Sequence, residues 1–199
     1  MELLLATHNV HKVTEISAML AKISVRVKSL QEIGYFEEIP ETGETFRENA
    51  IVKARTVAME LGCMTLADDS GLEVDFLQGR PGVYSARYAG GDTSSVALCS
   101  KLLEEMSATL DSRTAHFVTV MALADSQGNI AGVFEGRVSG EIAHQMIGTE
   151  GFGYDSVFYY PPLLKTMAQM TPNEKNSCSH RFRALEQVIA YLREYDDRP

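Results

Sequence analysis

Residues 2–23 have the sequence ELLLATHNVHKVTEISAMLAKI, in which a short apolar run passes through a polar turn into an amphipathic pattern. The run over residues 2–6 has the length and character of a buried strand, and Thr7-His8-Asn9 interrupts it. Apolar side chains then recur at spacings of three and four, as on one face of a helix; they are Val13, Ile16, Met19, Leu20 and Ile23. The stretch therefore predicts a strand, a polar turn and a helix.

A second, longer helix is predicted to begin near Thr45. Thr45 and Glu48 have the spacing of a capping box, although Thr42 is a rival cap. Gly62 is a natural stop for this helix, and its apolar face uses Phe46, Ala50, Val57 and Leu61. Helical patterns also cover residues 94–107 and 180–195.

Short strand-like runs lie between the helical patterns, at residues 24–28 and 64–67. Residues 115–124 and 130–138 flank the segment DSQGN at 125–129, which is a hairpin signal. Alternating strands and helices indicate an α/β fold. The sheet is predicted to be mixed, because a hairpin does not fit a purely parallel sheet.

Composition limits the possible functions. The chain has 199 residues with an ordinary globular balance of 45% apolar and 23% charged residues, which fits one domain or one domain with a lobe. Its net charge of −9 does not supply the basic face that a sequence-independent nucleic-acid binder needs. An anionic ligand still fits if a few cations converge at one place.

The expected location is the cytoplasm. Cys63, Cys99 and Cys178 are far apart and odd in number, which favours reduced thiols over a disulfide framework or a zinc site. The first residues carry an acidic side chain where a signal peptide needs positive charge. No segment has the length and apolar character of a membrane span, so no membrane partner is expected.

The first polar cluster covers Thr7, His8, Asn9, Val10, His11 and Lys12. A turn into a helix start offers backbone N–H groups and the positive end of the helix dipole. Lys12 adds a cation where it is unfavourable for the helix itself, and a bound phosphate would explain that placement. The alternative is a polar helix cap with a solvated lysine.

The second cluster is acidic and lies before the long helix, from Glu37 to Glu44, with Asn49 and Lys53 following. Carboxylates near a helix start are favourable for the dipole without further function. Lys53 is either an ordinary exposed lysine or a functional cation.

The third cluster is Asp68-Asp69-Ser70-Gly71. Adjacent carboxylates at a strand end repel each other unless a cation or a shared proton relieves them. Mg²⁺ prefers one or two carboxylates with waters and phosphates, and a second carboxylate could take a proton from metal-bound water. The alternative is a tight turn in which Gly71 has a positive φ.

The fourth cluster joins residues 151–155 (GFGYD) to Lys175, His180 and Arg181. The glycines permit close backbone approach, and Phe152 or Tyr154 offers a flat surface on which a base can stack. The guanidinium group of Arg181 can donate hydrogen bonds to keto oxygens. The alternatives are a hairpin end and an exposed helix start.

Together the clusters resemble the inosine triphosphatase family, also called the Ham1-like pyrophosphatases. Six segments between residues 3 and 185 match in the family's order: LLLATHNVHKVTEI, ETGETFRENAIVKA, TLADDSGLEVD, GRPGVYSARYAG, GFGYDSVF and EKNSCSHRFRAL. The resemblance implies a single domain over residues 1–199 with two lobes, a long curved mixed sheet flanked by helices, and an active site in the central cleft. It also implies a homodimer.

The implied activity is magnesium-dependent hydrolysis of ITP, dITP and XTP to nucleoside monophosphate and pyrophosphate. By the same resemblance, Asp69 is the catalytic carboxylate and a metal ligand, with Asp68 and Glu41 as further ligands. Thr7 to Lys12 and Lys53 then bind the triphosphate, and Ser70 contacts the substrate. The nucleoside pocket takes these residues: Phe152, Gly153, Tyr154, Asp155, Lys175, His180 and Arg181.

Three positions depart from the family's common pattern: His8 where a small residue is frequent, Ser156 where proline is frequent, and Pro40 where some members have glutamate. The last leaves the metal-binding glutamate open among Glu37, Glu38 and Glu41. Two other functions remain: a nucleotide-binding protein without turnover, and a Maf-like pyrophosphatase acting on pyrimidine or modified nucleotides. The aspartate pair disfavours the first, and the SHR segment at 179–181 disfavours the second.

Overall fold

The computed structural model describes residues 1–21, 23, 25–91, 93–109 and 112–196. Within these ranges one sheet has seven strands in the order β2-β1-β3-β4-β5-β6-β7. The strands are β1 Glu2–Leu5, β2 Arg26–Ser29, β3 Thr65–Val74, β4 Thr114–Ala124, β5 Ile130–Ile142, β6 Phe158–Tyr160 and β7 Lys165–Thr166. Ser24, the first residue of the predicted second strand, lies outside the described residues.

The sheet is mixed, as predicted. Strand β1 pairs in parallel with β2 and with β3, whereas β6 is antiparallel to both β5 and β7. The helices are α1 Val10–Leu20, α2 Phe46–Leu61, α3 Ser95–Glu105, α4 Pro172–Cys178 and α5 His180–Asp196. The α/β class and the opening strand, turn and helix are therefore confirmed. No helix among the described residues is both long enough and apolar enough to cross a membrane.

The start and end of α2 follow the predicted capping chemistry. The Thr45 side chain accepts from the backbone N–H of Glu48, and the Glu48 carboxylate accepts in return from the backbone N–H of Thr45. Gly62 ends the helix in the left-handed conformation at φ 62°. Leu61 is an exception to the predicted apolar face, because it lies in the last, solvated turn and is 36% exposed.

The prediction that a strand ends at residue 67 is wrong. Strand β3 continues through Asp68-Asp69-Ser70-Gly71 to Val74, and Gly71 is not among the glycines with positive φ. The turn-forming character of this sequence is overridden because both aspartates are buried and ion-paired. The carboxylates therefore lie within a strand and not in a turn.

The predicted hairpin is confirmed, with β4 and β5 adjacent in the sheet. Asp125 Oδ1 accepts from the backbone N–H groups of Gln127 and Asn129 at 2.8 and 2.9 Å. Gly128 has a φ of 82°, which glycine adopts without steric cost. Strand β5 runs to Ile142, beyond the predicted end at residue 138.

The chain divides into two compact units. Unit 1 comprises Met1–Asp69, Thr119–Gly136 and the described part of His180–Pro199, and unit 2 comprises Ser70–Val118 and Arg137–Ser179. Each unit has its own apolar core. The core of unit 1 includes Leu3, Leu5, Ile16, Leu66, Met121, Leu185 and Val188; that of unit 2 includes Leu72, Leu102, Met106, Phe117, Phe158 and Met167. The curvature of the sheet, the central cleft and the single domain over 1–199 stay predictions.

Candidate active site

Unit 1 contains a buried network of charged and polar side chains. Lys53, Asp68, Asp69 and Arg181 are all at most 7% exposed. Burying a charge costs several kcal/mol or more unless it is paired and hydrogen-bonded. Each of these four side chains has an opposite charge within ion-pair distance, which explains how they are accommodated.

Asp68 is held by cations from two helices. Its Oδ1 pairs with the ammonium group of Lys12 from α1. Its Oδ2 accepts from the Thr119 hydroxyl and lies 3.4 Å from Nε of Arg181 at the start of α5. Arg181 also pairs with the carboxylate of Glu15. Both oxygens of Asp68 are thus engaged by protein groups.

The charge state of Asp68 follows from these partners. Burial opposes its ionisation, but Lys12 and Arg181 outweigh burial and hold the pKa of Asp68 well below its usual range. Burial lowers the pKa of Lys12, and the cations Lys53 and Arg181 lower it further against the attraction of Asp68. Asp68 is therefore a permanent carboxylate that neutralises neighbouring cations.

Asp69 has different surroundings, although it is the next residue of β3. Nζ of Lys53 lies 2.8 Å from Oδ1 of Asp69 and 2.9 Å from Oε1 of Glu41. The Asn49 amide donates to Oδ2 of Asp69 at 3.2 Å, and its own oxygen accepts from the backbone N–H of Gly43 at 2.7 Å. Asn49 thereby ties the acidic segment before α2 to the carboxylate.

One cation here faces two carboxylates, and both pKa directions agree with that imbalance. Burial raises the pKa of Asp69 and Glu41 adds to the rise, while Lys53 opposes it. Burial lowers the pKa of Lys53, but Asp69 and Glu41 outweigh it, so the Lys53 pKa is raised. Lys53, Asp69 and Glu41 carry one surplus negative charge among the three of them, although Lys12 also lowers the pKa of Asp69.

The donor set suits a magnesium ion only in part. Asp69 and the half-exposed Glu41 converge on one ammonium group, and Mg²⁺ needs only one or two carboxylates when waters and phosphates complete its shell. No group of three or more acidic, histidine or cysteine side chains suited to a metal occurs in the described part of the chain. Asp68 suits a ligand role less well than Asp69, because two cations, Lys12 and Arg181, pair with it, whereas Asp69 shares the single cation Lys53 with Glu41.

The first cluster combines a helix cap with a largely buried lysine. The Asn9 side chain accepts from the backbone N–H groups of His11 and Lys12 at 3.0 and 3.2 Å, so the cap interpretation is confirmed. The alternative prediction of a solvated lysine is wrong, because the Lys12 side chain is only 13% exposed and pairs with the buried Asp68. Thr7 Oγ1 accepts from the backbone N–H of Asn9. Val10, His8 and His11 are exposed.

The His8 side chain contacts the acidic segment. Its Nε2 lies 2.9 Å from the carbonyl oxygen of Glu37, and its ring stacks on Tyr35 with centroids 6.4 Å apart. The bulky residue at this position is therefore accommodated by contacts with the segment that carries Glu41.

The residues of the fourth cluster belong to both units. His180 and Arg181 begin α5 in unit 1, where they are 6% and 1% exposed, so an exposed helix start is wrong. In unit 2, Asp155 Oδ2 accepts from Nζ of Lys175 at 2.6 Å and from the backbone N–H of Phe152 at 2.9 Å. Ser70, also in unit 2, is partly buried in β3.

The two aromatic residues of residues 151–155 differ in their surroundings. Tyr154 is 4% exposed, belongs to the core of unit 2, and donates its hydroxyl to the carbonyl of Ser85 at 2.9 Å. Nζ of Lys175 lies 5.1 Å from the centroid of the Phe152 ring, which is partly buried. Phe152 is therefore the better candidate for base stacking, and Tyr154 anchors the segment.

Thr119 and Glu15 belong to the network, although the sequence did not predict them as site residues. Thr119 is one polar side chain within the apolar run of residues 115–124, and that interruption was the available signal. Glu15 follows Lys12 by one helical turn, a spacing that is common on solvated helix faces. Asn49 precedes Lys53 by one turn, which places both on the buried face of α2.

Comparisons with known proteins agree with this architecture. The model of the Ham1 family matches residues 3–191. The dITP/XTP pyrophosphatase of Bacillus licheniformis is 46% identical over 192 residues, covering 96% of this chain and 97% of that protein. The dITP/XTP pyrophosphatase of Bacillus subtilis is 47% identical over 192 residues, covering 96% of each.

Two solved structures are similar over nearly the whole chain. A HAM1 protein from Coxiella burnetii has a TM-score of 0.89 at 40% identity, covering 98% of this chain and 99% of that one. The Staphylococcus aureus Ham1 protein has a TM-score of 0.87 at 40% identity, covering 98% and 100%. This chain therefore belongs to the Ham1 family.

Proposed function

We propose that this protein is a nucleoside-triphosphate pyrophosphatase that hydrolyses dITP, ITP and XTP to the nucleoside monophosphate and pyrophosphate. The observation that carries the proposal is the buried pairing of Lys53 with Asp69 and Glu41, beside the pairing of Lys12 with Asp68. Cations and carboxylates together are what a metal-chelated polyphosphate requires. The names of the B. licheniformis and B. subtilis relatives support dITP and XTP as substrates.

The triphosphate is assigned to Lys12, Lys53 and the turn at residues 7–11. Phosphoryl chemistry depends largely on positioning and on charge stabilisation, which cations with fixed side chains supply without reorganisation. Lys12 and Lys53 are nearly buried, so solvent screening of their charge is weak. Asp68 is assigned to positioning Lys12 and Arg181, because it pairs with both of these cations.

The metal is assigned to Asp69 and Glu41, and magnesium fits because oxygen donors are its usual ligands. When bound, magnesium neutralises phosphate charge and makes a coordinated water more acidic. Asp69 is assigned the proton from the attacking water. Nζ of Lys53 and the amide of Asn49 hold the carboxylate in place for that transfer.

The purine base is assigned to the fourth cluster and Ser70, as the resemblance implies. Phe152 supplies an aromatic surface, and Lys175 and Asp155 form an ion pair beside it. His180 and Arg181 keep their proposed contact with the base, although the guanidinium of Arg181 also pairs with Asp68 and Glu15. Hydrogen-bond donors aimed at a purine 6-oxo group would be left unpaired by the 6-amino group of adenine. Unpaired buried donors are costly, so adenine nucleotides should bind much more weakly.

The proposal is tested by measuring pyrophosphate release from ITP, XTP, dITP, ATP, GTP and dTTP with magnesium. Turnover of ITP, dITP and XTP well above that of ATP is expected. Binding without release would favour the silent nucleotide-binding protein, and turnover of dTTP alone would favour the Maf-like alternative. We also infer a cytoplasmic homodimer, for which sedimentation should give about twice the chain mass of 21.9 kDa.

A further inference from the structure

Helix α3 holds both backbone groups of Gly153. The hydroxyl of Ser95 accepts from the Gly153 N–H at 2.8 Å. The thiol of Cys99 donates to the Gly153 carbonyl at 3.3 Å. Ser95 and Cys99 are four residues apart, so they lie on the same face of the helix. All three residues belong to unit 2.

We propose that Ser95 and Cys99 are positioning residues that clamp residues 151–155 for binding of the purine base, an inference that rests on the proposed function. Gly153 lies directly between Phe152, the candidate stacking ring, and Tyr154, the buried anchor. Fixing both its N–H and its carbonyl fixes the orientation of the two peptide planes that flank it. Helix α3 thereby adds to the contact within the loop, in which the Phe152 N–H donates to the Asp155 carboxylate.

The chemistry of Cys99 suits a donor. Its side chain is 0% exposed, and burial raises the pKa of the thiol, so the proton stays on sulfur. Cys99 Sγ also lies 3.5 Å from the hydroxyl of Ser156.

The rest of the segment is anchored independently, which leaves Gly153 as the point that α3 controls. Tyr154 donates to the Ser85 carbonyl, and Asp155 pairs with Lys175 at 2.6 Å. Gly153 itself has a φ of 60° and nothing within 4 Å of where a Cβ would lie. The observed restraints on this residue are therefore the two hydrogen bonds from α3.

The experiment combines amide exchange with steady-state kinetics for the Ser95→Ala and Cys99→Ala variants. Ser95→Ala should accelerate exchange in the peptide covering residues 151–156. Each variant should raise KM for ITP about threefold to tenfold, the effect of losing one neutral hydrogen bond, and should narrow the ITP-to-ATP ratio while kcat changes little. Ser95→Thr keeps the acceptor and Cys99→Ser keeps the donor. Each should therefore have a KM for ITP and an ITP-to-ATP ratio close to those of the wild type.

Ser100→Ala is the matched control, because Ser100 is exposed on the same helix. Unchanged exchange in Ser95→Ala would overturn the clamp, and faster exchange with unchanged KM and ratio would overturn its role in base binding. A wild-type protein that hydrolyses no triphosphate would refute the proposed function instead. In that case the Kd values for ITP and ATP, measured by calorimetry on the same variants, replace KM. A weaker Kd for ITP in Ser95→Ala and Cys99→Ala would support the clamp, and an unchanged Kd would overturn its role in base binding.

Discussion

The ammonium nitrogen of Lys53 lies 2.8 Å from Oδ1 of Asp69, with both residues at most 7% exposed. The same nitrogen also serves Glu41, so the pair is not balanced. Asp68, one residue earlier in β3, has the opposite surroundings, with Lys12 and Arg181 on one carboxylate. Adjacent aspartates in one strand therefore differ in charge balance, and substitution of each should have a different effect.

Asp69→Asn should abolish turnover without loss of stability. The amide cannot take a proton from water, and loss of a general base typically lowers kcat about 10²–10⁴-fold. Because the folded-state pKa of Asp69 is raised, its ionised form is disfavoured by folding at neutral pH, and the substitution removes that cost. Thermal unfolding at pH 7 should give a Tm equal to or above that of the wild type.

Asp75→Asn provides the matched control, since Asp75 is half-exposed in unit 2 and outside the network. It should leave kcat and KM for ITP unchanged. Normal turnover in the Asp69 variant would show that this carboxylate is not catalytic. A large fall in its Tm would show that the surplus negative charge is absent.

Asp68→Asn should destabilise the fold. It leaves Lys12 and Arg181 without their buried carboxylate, and breaking a buried pair costs about 3–5 kcal/mol. The folded-state pKa of Asp68 is depressed. Its contribution is therefore fully present above the unfolded value of 3.8 and is lost as the pH falls below it.

Urea unfolding at a series of pH values measures this contribution directly. The difference in free energy of unfolding between wild type and Asp68→Asn should be constant from pH 5 to 7 and shrink below about pH 4. A difference near zero at pH 7 would contradict the assignment of Asp68 as a structural counter-ion.

Much of this fold follows from local sequence patterns. The α2 boundaries were predictable because Thr45, Glu48 and Gly62 act on neighbouring backbone groups. The course of β3 was not, because Asp68-Asp69-Ser70-Gly71 has the composition of a turn. Cations 56 and 16 residues distant, Lys12 and Lys53, make burial of those carboxylates possible, and such partners do not appear in a local pattern.

In the site, too, some features follow from the local sequence and others depend on distant partners. Polar clusters in the sequence drew attention to Lys12, Lys53 and Asp69, but only the resemblance assigned them roles. The separate roles of Asp68 and Asp69 were not predictable, because both are aspartates in one strand and only their partners differ. Thr119 and Glu15 were likewise not predictable, because only their contacts with Asp68 and Arg181 place them in the network.

Lys53→Met should move the acidic limb of the pH–rate profile to higher pH. Lys53 opposes the rise in the pKa of Asp69 more strongly than Lys12 does. Its removal therefore raises that pKa further, and more alkaline conditions are needed to ionise the base. The loss of a phosphate-binding cation should also lower kcat/KM about 10²–10³-fold. The profile of kcat/KM for ITP from pH 6 to 10 gives both effects.

Lys28→Met is the control for charge alone, because Lys28 forms a more exposed pair with Glu2 on β1 and β2. Its profile should match the wild type. An unshifted acidic limb in Lys53→Met would mean that Asp69 does not control the pH dependence.

Glu41→Gln should weaken magnesium binding, and it decides among the three glutamates that the sequence leaves open. Glu41 is the one that shares Lys53 with Asp69, whereas His8 contacts the backbone of Glu37 and not its carboxylate. Neutralising Glu41 removes both a ligand and the surplus negative charge. The magnesium concentration for half-maximal rate should therefore rise at least about tenfold, while Glu37→Gln and Glu38→Gln should leave it unchanged. If either of these variants shifted the magnesium titration and Glu41→Gln did not, the metal would lie elsewhere on the acidic segment, and the pairing of Glu41 with Lys53 would be structural only.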